Sequence, residues 1–368
     1  MACRFLARNG ILQDMDIPSA PQFLISTNTG AYTTTRTGGQ GSCVLLWERH
    51  LIRLSQSLKL LAEAKPQLYP ALPFFVPTWY DDEIRPLVQL SLEAGLRKAL
   101  QTTKNDEEMT ITALVCGSSA SVEGRANKPC DVYVHIASYI PSSIANGAAH
   151  LAIVGPGRKN ASTKSSEWVR ARECLERLRP PSVTELLLSD DGDSLLEGTI
   201  TNFFAVCYQE SKEKDEEDIN EDSDSSKWTG YEIHTAPIID GVLPGVIRQL
   251  VIEICADEGI LLREVAPSWS NRQLWKEAFI SSIVVESSSL SHQIQWLLLE
   301  SDSVRLVQHV ESIQAPYSWS QLLHAESWKD VSWKAIHLEG PGIVTQKIQK
   351  LVLEHAMSEG YQFRDVVK

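Results

Sequence analysis

Three short segments carry residue types that could do chemistry. Lys164 stands in Ser162-Thr163-Lys164-Ser165-Ser166-Glu167-Trp168, just ahead of a helical pattern. A lysine amine that has lost its proton attacks carbonyl groups, and burial or a nearby cation favours that state. Thirty-three residues on, Glu197 opens Glu197-Gly198-Thr199-Ile200-Thr201-Asn202-Phe203-Phe204. A carboxylate inside an apolar strand needs a partner, because burying it alone costs several kcal/mol. The third segment, Leu243-Pro244-Gly245-Val246-Ile247-Arg248, is a turn feeding a helix. There the first N–H groups, on Gly245, Val246 and Ile247, would suit an anion, and Gly245 would let it come close. Each segment alone has a plainer reading: a solvated lysine, a strand-edge glutamate, a tidy helix start. A second lysine, Lys159, lies in the preceding turn-rich stretch.

The elements around these residues alternate strand and helix. The N-terminal segment reads as a strand ending at Asn9-Gly10, and Gly30 to Arg36 as a second. Val44 to Leu46, Thr110 to Val115 and Val132 to Ala137 read likewise. Leu51, Leu54, Leu58 and Leu61 form one apolar stripe on a helix from about Glu48. Another helix runs from about Asp82 to Gln101, bent near Pro86. A turn-rich stretch follows, with a short strand at Leu151 to Val154. It separates a small α/β domain, 1–150, through a linker, 151–162, from a larger domain, 163–368.

In that larger domain, Trp168, Ala171, Leu175 and Leu178 share one helix face, which Pro180-Pro181 terminates. Glu185 to Ser189 and Leu195 to Val206 read as a hairpin, placing Glu197 in a strand. Residues 209–226 hold nine acidic side chains and two lysines, the pattern of a mobile loop between strands. Helices are expected from Pro244-Gly245 to Asp257 and from Ile343 to about His355.

Composition narrows the function. At 368 residues, 43% hydrophobic and 22% charged, the chain is globular and too long for one ordinary core. Its net charge of −13 repels phosphate backbones, so nucleic-acid binding is not expected. No apolar run reaches the roughly 18–20 residues that span a bilayer. The N-terminus lacks a secretory core and a serine-rich transit pattern, which points to the cytoplasm. Seven scattered cysteines without a C-x-x-C pair read as reduced thiols, and the nine histidines show no metal-ligand spacing. P-loop, H-E-x-x-H and G-x-S-x-G motifs are absent.

The combination resembles the class IV, or fold type IV, pyridoxal-phosphate aminotransferases. That group includes branched-chain and D-amino acid aminotransferases, aminodeoxychorismate lyase and plant proteins described as D-amino acid aminotransferase-like. Glu197 to Phe203 is similar to the family's E-G-[ST]-x-[ST]-N-x-F, and Leu243 to Arg248 to its L-P-G-[IV]-x-R. Gly30 to Arg36 resembles its G-x-[FY]-[ET]-T-x-R strand, and Glu48 to Leu54 its E-x-H-x-x-R-L helix. The resemblance spans about residues 3 to 282 and 303 to 310.

It implies a two-domain α/β enzyme, a homodimer with the cofactor between its domains, moving amino groups between amino acids and 2-oxo acids. Lys164 would form the Schiff base and move the Cα proton, and Glu197 would face the pyridine nitrogen. Arg53 and the amides of Val246 and Ile247 would hold the phosphate, with help from the Ser281-Ser282 hydroxyls or from Ser301-Asp302-Ser303. Thr199, Thr201 and Asn202 would lie around the ring, Tyr32 and Arg36 on the substrate side. The chain departs from the family twice: Ile247 stands where threonine is frequent, and residues 283–302 are inserted. A lyase on the same scaffold and a non-catalytic paralogue are the alternatives.

Overall fold

The computed structural model describes residues 3–69, 78–102, 107–118, 129–139, 149–209, 228–283, 304–313, 333–338 and 342–363. The expected acidic loop, 209–226, and the insertion, 283–302, lie outside these residues except at Gln209 and Ile283, as does Ser301-Asp302-Ser303. Contacts gather the chain into two compact units. One takes Met1–Ile140, Ser162–Ala171 and His355–Lys368; the other takes Pro141–Ala161 and Arg172–Glu354.

In chain order the first unit begins with β1 (Arg4–Arg8), β2 (Ile11–Leu12), α1 (Ala20–Ser26), β3 (Gly30–Gly38) and β4 (Cys43–Val44). It continues with α2 (Trp47–Ala64), α3 (Arg85–Thr102), β5 (Met109–Gly117) and β6 (Cys130–Ser138). The second unit opens with β7 (Ala149–Ile153). After it, α4 (Ser166–Ala171) belongs to the first unit. The second resumes with α5 (Glu173–Glu176), β8 (Glu185–Leu187), β9 (Asn202–Tyr208), β10 (Tyr231–Thr235), α6 (Val246–Asp257), β11 (Leu261–Glu264), β12 (Trp275–Ser281), β13 (Val304–Ile313) and β14 (Trp333–His337). The chain ends in α7 (Ile343–Ser358) and β15 (Tyr361–Gln362), the latter in the first unit.

The described strands of the first unit form one sheet, ordered β15-β4-β3-β5-β6-β1-β2. Alternation along β5 and β6 sends Ile111, Ala113, Val115, Val132, Val134 and Ile136 to one face. There they meet the α2 stripe of Leu51, Leu54, Leu58 and Leu61. Burying each valine, leucine or isoleucine among them contributes roughly 1.5–3 kcal/mol. The opposite face gathers Tyr32, Leu114, Phe23 and Val169. A π turn at Tyr80–Ile84 runs directly into α3, so Pro86, where the bend is expected, falls at the junction of the two.

The ten residues around Lys164 join the first unit because its backbone captures them. Tyr32 N–H donates to the Lys164 carbonyl (2.9 Å), and Gly30 N–H to Ser166 Oγ (3.1 Å). The Arg170 guanidinium donates to the carbonyls of Leu24, Ile25 and Thr27. This also divides the helix expected through Leu178 into α4 and the short α5.

In the second unit the described strands run β11-β10-β9-β12-β13-β7-β8, with β14 on β13. The expected hairpin is only partly formed. β8 pairs in parallel with β7, stops at Leu187, and β9 starts at Asn202. Between them the Leu188 N–H donates to the Glu197 carbonyl and the Gly198 N–H to the Thr201 carbonyl, both at 2.8 Å. Glu197 therefore sits at the base of a tight turn, bridged to Asn202, rather than within a strand. Among the described residues no helix is long and apolar enough to cross a membrane.

Candidate functional site

In the first unit Lys164 is held from both sides. Its N–H donates to Ser57 Oγ of α2 (3.1 Å) and its carbonyl accepts from Tyr32 of β3. Its Nζ lies 4.8 Å from the centre of the Tyr32 ring, in cation–π range. Lys164 is half-buried, whereas Lys159 is exposed and belongs to the other unit. On α2, Arg53 is buried and its Nη2 donates to Thr33 Oγ1 (2.8 Å). Thr33 Oγ1 is also 2.7 Å from Nδ1 of fully buried His50. Burial, then the charges of Arg53 and Lys164, hold the imidazole pKa well below its usual range. On β3, Tyr32, Thr34 and Arg36 share a face by strand alternation. Arg36 is buried over the Tyr139 ring, 5.1 Å from its centre, and donates to the Thr37 carbonyl (3.3 Å).

In the second unit Glu197 is 3% exposed and richly partnered. Its Oε2 accepts from the Leu243 N–H at 2.8 Å and from Asn202 Nδ2 at 3.4 Å. Its Oε1 lies 2.7 Å from Nε of Arg158, itself buried. That N–H is not aligned for a hydrogen bond, so charge holds the contact. Arg158 is the partner that the buried carboxylate required, and no motif singled it out. Its Nη2 also donates to the Ala161 carbonyl at 2.6 Å.

Asn202 links the two motifs. Its Nδ2 also donates to the Leu243 carbonyl (3.0 Å), and its Oδ1 lies where a Cβ on Gly245 would collide with it. Gly245 is thus required by Asn202. Its own N–H donates to the Leu243 carbonyl (2.8 Å) and is not available to an anion, contrary to the sequence expectation. No side chain caps α6, so the first-turn amides of Val246 and Ile247 remain for a ligand.

Thr199 also departs from expectation. Its hydroxyl is turned to the fully buried Glu185, donating to Oε1 at 2.7 Å. That carboxylate also accepts from the N–H groups of Leu186, Thr199 and Ile200, so it holds the turn that carries Glu197. Sequence reasoning missed Glu185. Its signal was an acidic residue opening the apolar run Glu185-Leu186-Leu187-Leu188.

Two hydroxyls at expected positions are buried without a hydrogen-bond partner, Thr201 Oγ1 and Ser281 Oγ. Ser281 pairs with Asn202 across β12 and β9, which brings it beside the same hub; Ser282 follows it, half-buried. Orphaned hydroxyls, an uncapped helix start and a buried carboxylate together suit a ligand with a phosphate and a protonated ring nitrogen.

Several solved structures share this fold. A branched-chain aminotransferase from Thermoproteus uzoniensis with norvaline matches with a TM-score of 0.58 at 16% identity, covering 96% of this chain and 95% of that one. A hypothetical aminotransferase from Mycobacterium tuberculosis in its PLP-bound form matches at 0.59 and 11%, covering 96% and 99%. Its form bound to alpha-ketoglutarate and PMP matches at 0.58 and 13%, with the same coverage. A search of curated proteins returns no significant match. The amino-transferase class IV family model matches residues 30–286, well over half of the sequence and every motif described above. The chain belongs to the class IV aminotransferase family.

Proposed function

We propose that the protein is a pyridoxal 5'-phosphate-dependent transaminase, moving an amino group between an amino acid and a 2-oxo acid. The observation that carries this reading is the hydrogen bond from Leu243 N–H to Glu197. It ties an acceptor suited to a ring nitrogen to the helix start suited to a phosphate. Family membership supports it, as do the tuberculosis structures described with PLP, PMP and alpha-ketoglutarate.

When bound, the cofactor supplies an aldehyde that captures amines and a ring that withdraws electrons from Cα. Lys164 would contribute the amine that anchors the aldehyde, and its Nζ would take and return the Cα proton. Glu197 would keep a proton on the ring nitrogen, with Arg158 against its second oxygen. Arg53, the amides of Val246 and Ile247, and the hydroxyls of Ser281 and Ser282 would hold the phosphate. Ile247 would offer its backbone N–H alone, where a threonine hydroxyl would add one more contact. Thr201 and Asn202 would border the ring, and Tyr32 and Arg36 would lie on the substrate side. A homodimer in the cytoplasm completes the proposal, following the family resemblance.

The test uses purified protein, a panel of 15N-labelled amino acids of both chiralities and several 2-oxo acids. Label should pass to the oxo acid with wild type and not with Lys164→Ala. Release of pyruvate without an acceptor would assign lyase chemistry instead. Neither product with any pair would sink the enzymatic reading.

A further inference from the structure

His50 and Arg53 lie three residues apart on α2 and converge on one hydroxyl of β3. A guanidinium has N–H donors and no acceptor, so at 2.8 Å from Arg53 Nη2, Thr33 Oγ1 must accept. The same Nη2 lies 3.4 Å from His50 Nδ1, and a guanidinium can only donate, so Nδ1 accepts and the ring is neutral with its proton on Nε2. The one proton of the threonine hydroxyl then goes to the 2.7 Å contact with Nδ1. A doubly protonated ring would reverse the relay and place a second buried cation against the guanidinium. Both polar groups are wholly enclosed, Thr33 and His50 each at 0% exposure, so the hydroxyl and imidazole have no water to turn toward.

We propose that Thr33 and His50 are positioning residues that set the Arg53 guanidinium, before any ligand arrives, in the orientation that receives a phosphate group. The proposal rests on the reading of Arg53 as a phosphate-binding residue. A long, flexible side chain loses conformational freedom when it grips an anion. Holding it ready in advance removes that cost from the binding step. The hydroxyl is the contact that matters, and the imidazole fixes which way the hydroxyl points. Neither touches the reacting atoms.

Cofactor-stripped full-length protein is titrated with three probes: pyridoxal 5'-phosphate, pyridoxal without the phosphate, and inorganic phosphate. Thr33→Val keeps the shape and removes the hydroxyl; Thr33→Ser restores it. His50→Phe removes the acceptor; His50→Asn places an amide oxygen near Nδ1. Thr33→Val and His50→Phe should each weaken pyridoxal 5'-phosphate and phosphate about tenfold, or about 1.4 kcal/mol, and leave pyridoxal unchanged. Thr33→Ser and His50→Asn should stay within about threefold of wild type. Arg53→Lys should weaken both phosphate-bearing probes more than either relay variant. If Arg53→Lys weakens them while Thr33→Val does not, the relay is wrong and the phosphate reading stands. If Arg53→Lys changes nothing, the phosphate reading fails and takes the relay with it. Equal loss of pyridoxal and its phosphate would mean a general packing role and would also overturn the proposal. Should Thr33→Val not fold, the His50 pair decides alone.

Discussion

The Glu197 carboxylate accepts the backbone N–H of Leu243 at 2.8 Å, across forty-six residues of chain. That bond joins the two sequence motifs into one structural unit, with Asn202 bracing both. The position of the carboxylate and the start of α6 are therefore not independent. Substitutions at one should be felt at the other.

Glu197→Gln tests charge at this junction. The half-reaction rate should fall about tenfold to a thousandfold, the scale of one charge-assisted contact of roughly 1.4 to 4 kcal/mol. Stability should also fall, by about 3 kcal/mol, because buried Arg158 loses its counter-charge. The sequence alone suggests little change or even a rise, since it shows an unpaired carboxylate and hides the arginine. Replacing Arg158 with Met in the Gln variant should recover part of the lost melting temperature. No recovery would show that the pair is not coupled.

Gly245→Ala should displace Asn202 and loosen the start of α6, costing about 1–3 kcal/mol in stability. The cost should shrink in an Asn202→Ala background, where the colliding oxygen is gone. A double-mutant cycle by chemical denaturation measures this. Strict additivity would mean that the glycine serves the ligand and not Asn202.

The turn bearing Glu197 should respond to pH through Glu185. Burial pushes this carboxyl up to about 7 from an ordinary 4.5; the Thr199 and Leu186 hydrogen bonds and Arg172 act downward, and Glu176 upward. Between those values the folded protein keeps a proton that the unfolded chain releases. Stability therefore falls as pH rises from about 4.5 to 7, and this contribution levels off above. Glu185→Gln abolishes the titration. From pH 5 to 8, the wild-type melting midpoint should drop by several degrees relative to the variant. Parallel curves would contradict the assignment.

Replacing Glu210 to Ser225 with a short Gly-Ser bridge should leave the melting midpoint and the half-reaction rate nearly unchanged. Tyr208 pairs with Tyr231, and the Gln209 N–H donates to the Gly230 carbonyl at 2.9 Å, so the two ends are already joined by the sheet. A large loss of folded protein would show that these residues dock.

Much of this was legible in the chain because the signals are local. The leucine stripe of α2, the strand Gly30–Gly38 and the start of α6 at Val246 follow from periodicity and turn chemistry within a few residues. Contacts distant in sequence were not legible. Arg158 meets Glu197 across thirty-nine residues, and β7 pairs with β13 from more than 150 residues later. Glu185 was hidden for another reason: a buried carboxylate satisfied by backbone N–H groups looks, in sequence, like any strand residue. Gly245 was read as room for a ligand, since nothing nearby in the chain announces the Asn202 oxygen that fills it.

The most direct measurement of the central claim is covalent. Borohydride reduction of the protein carrying pyridoxal 5'-phosphate, followed by proteolysis and mass spectrometry, identifies the lysine joined to the cofactor. The label should sit on the peptide containing Lys164 and vanish in Lys164→Ala. A label on Lys159, or on any other lysine, would contradict the account.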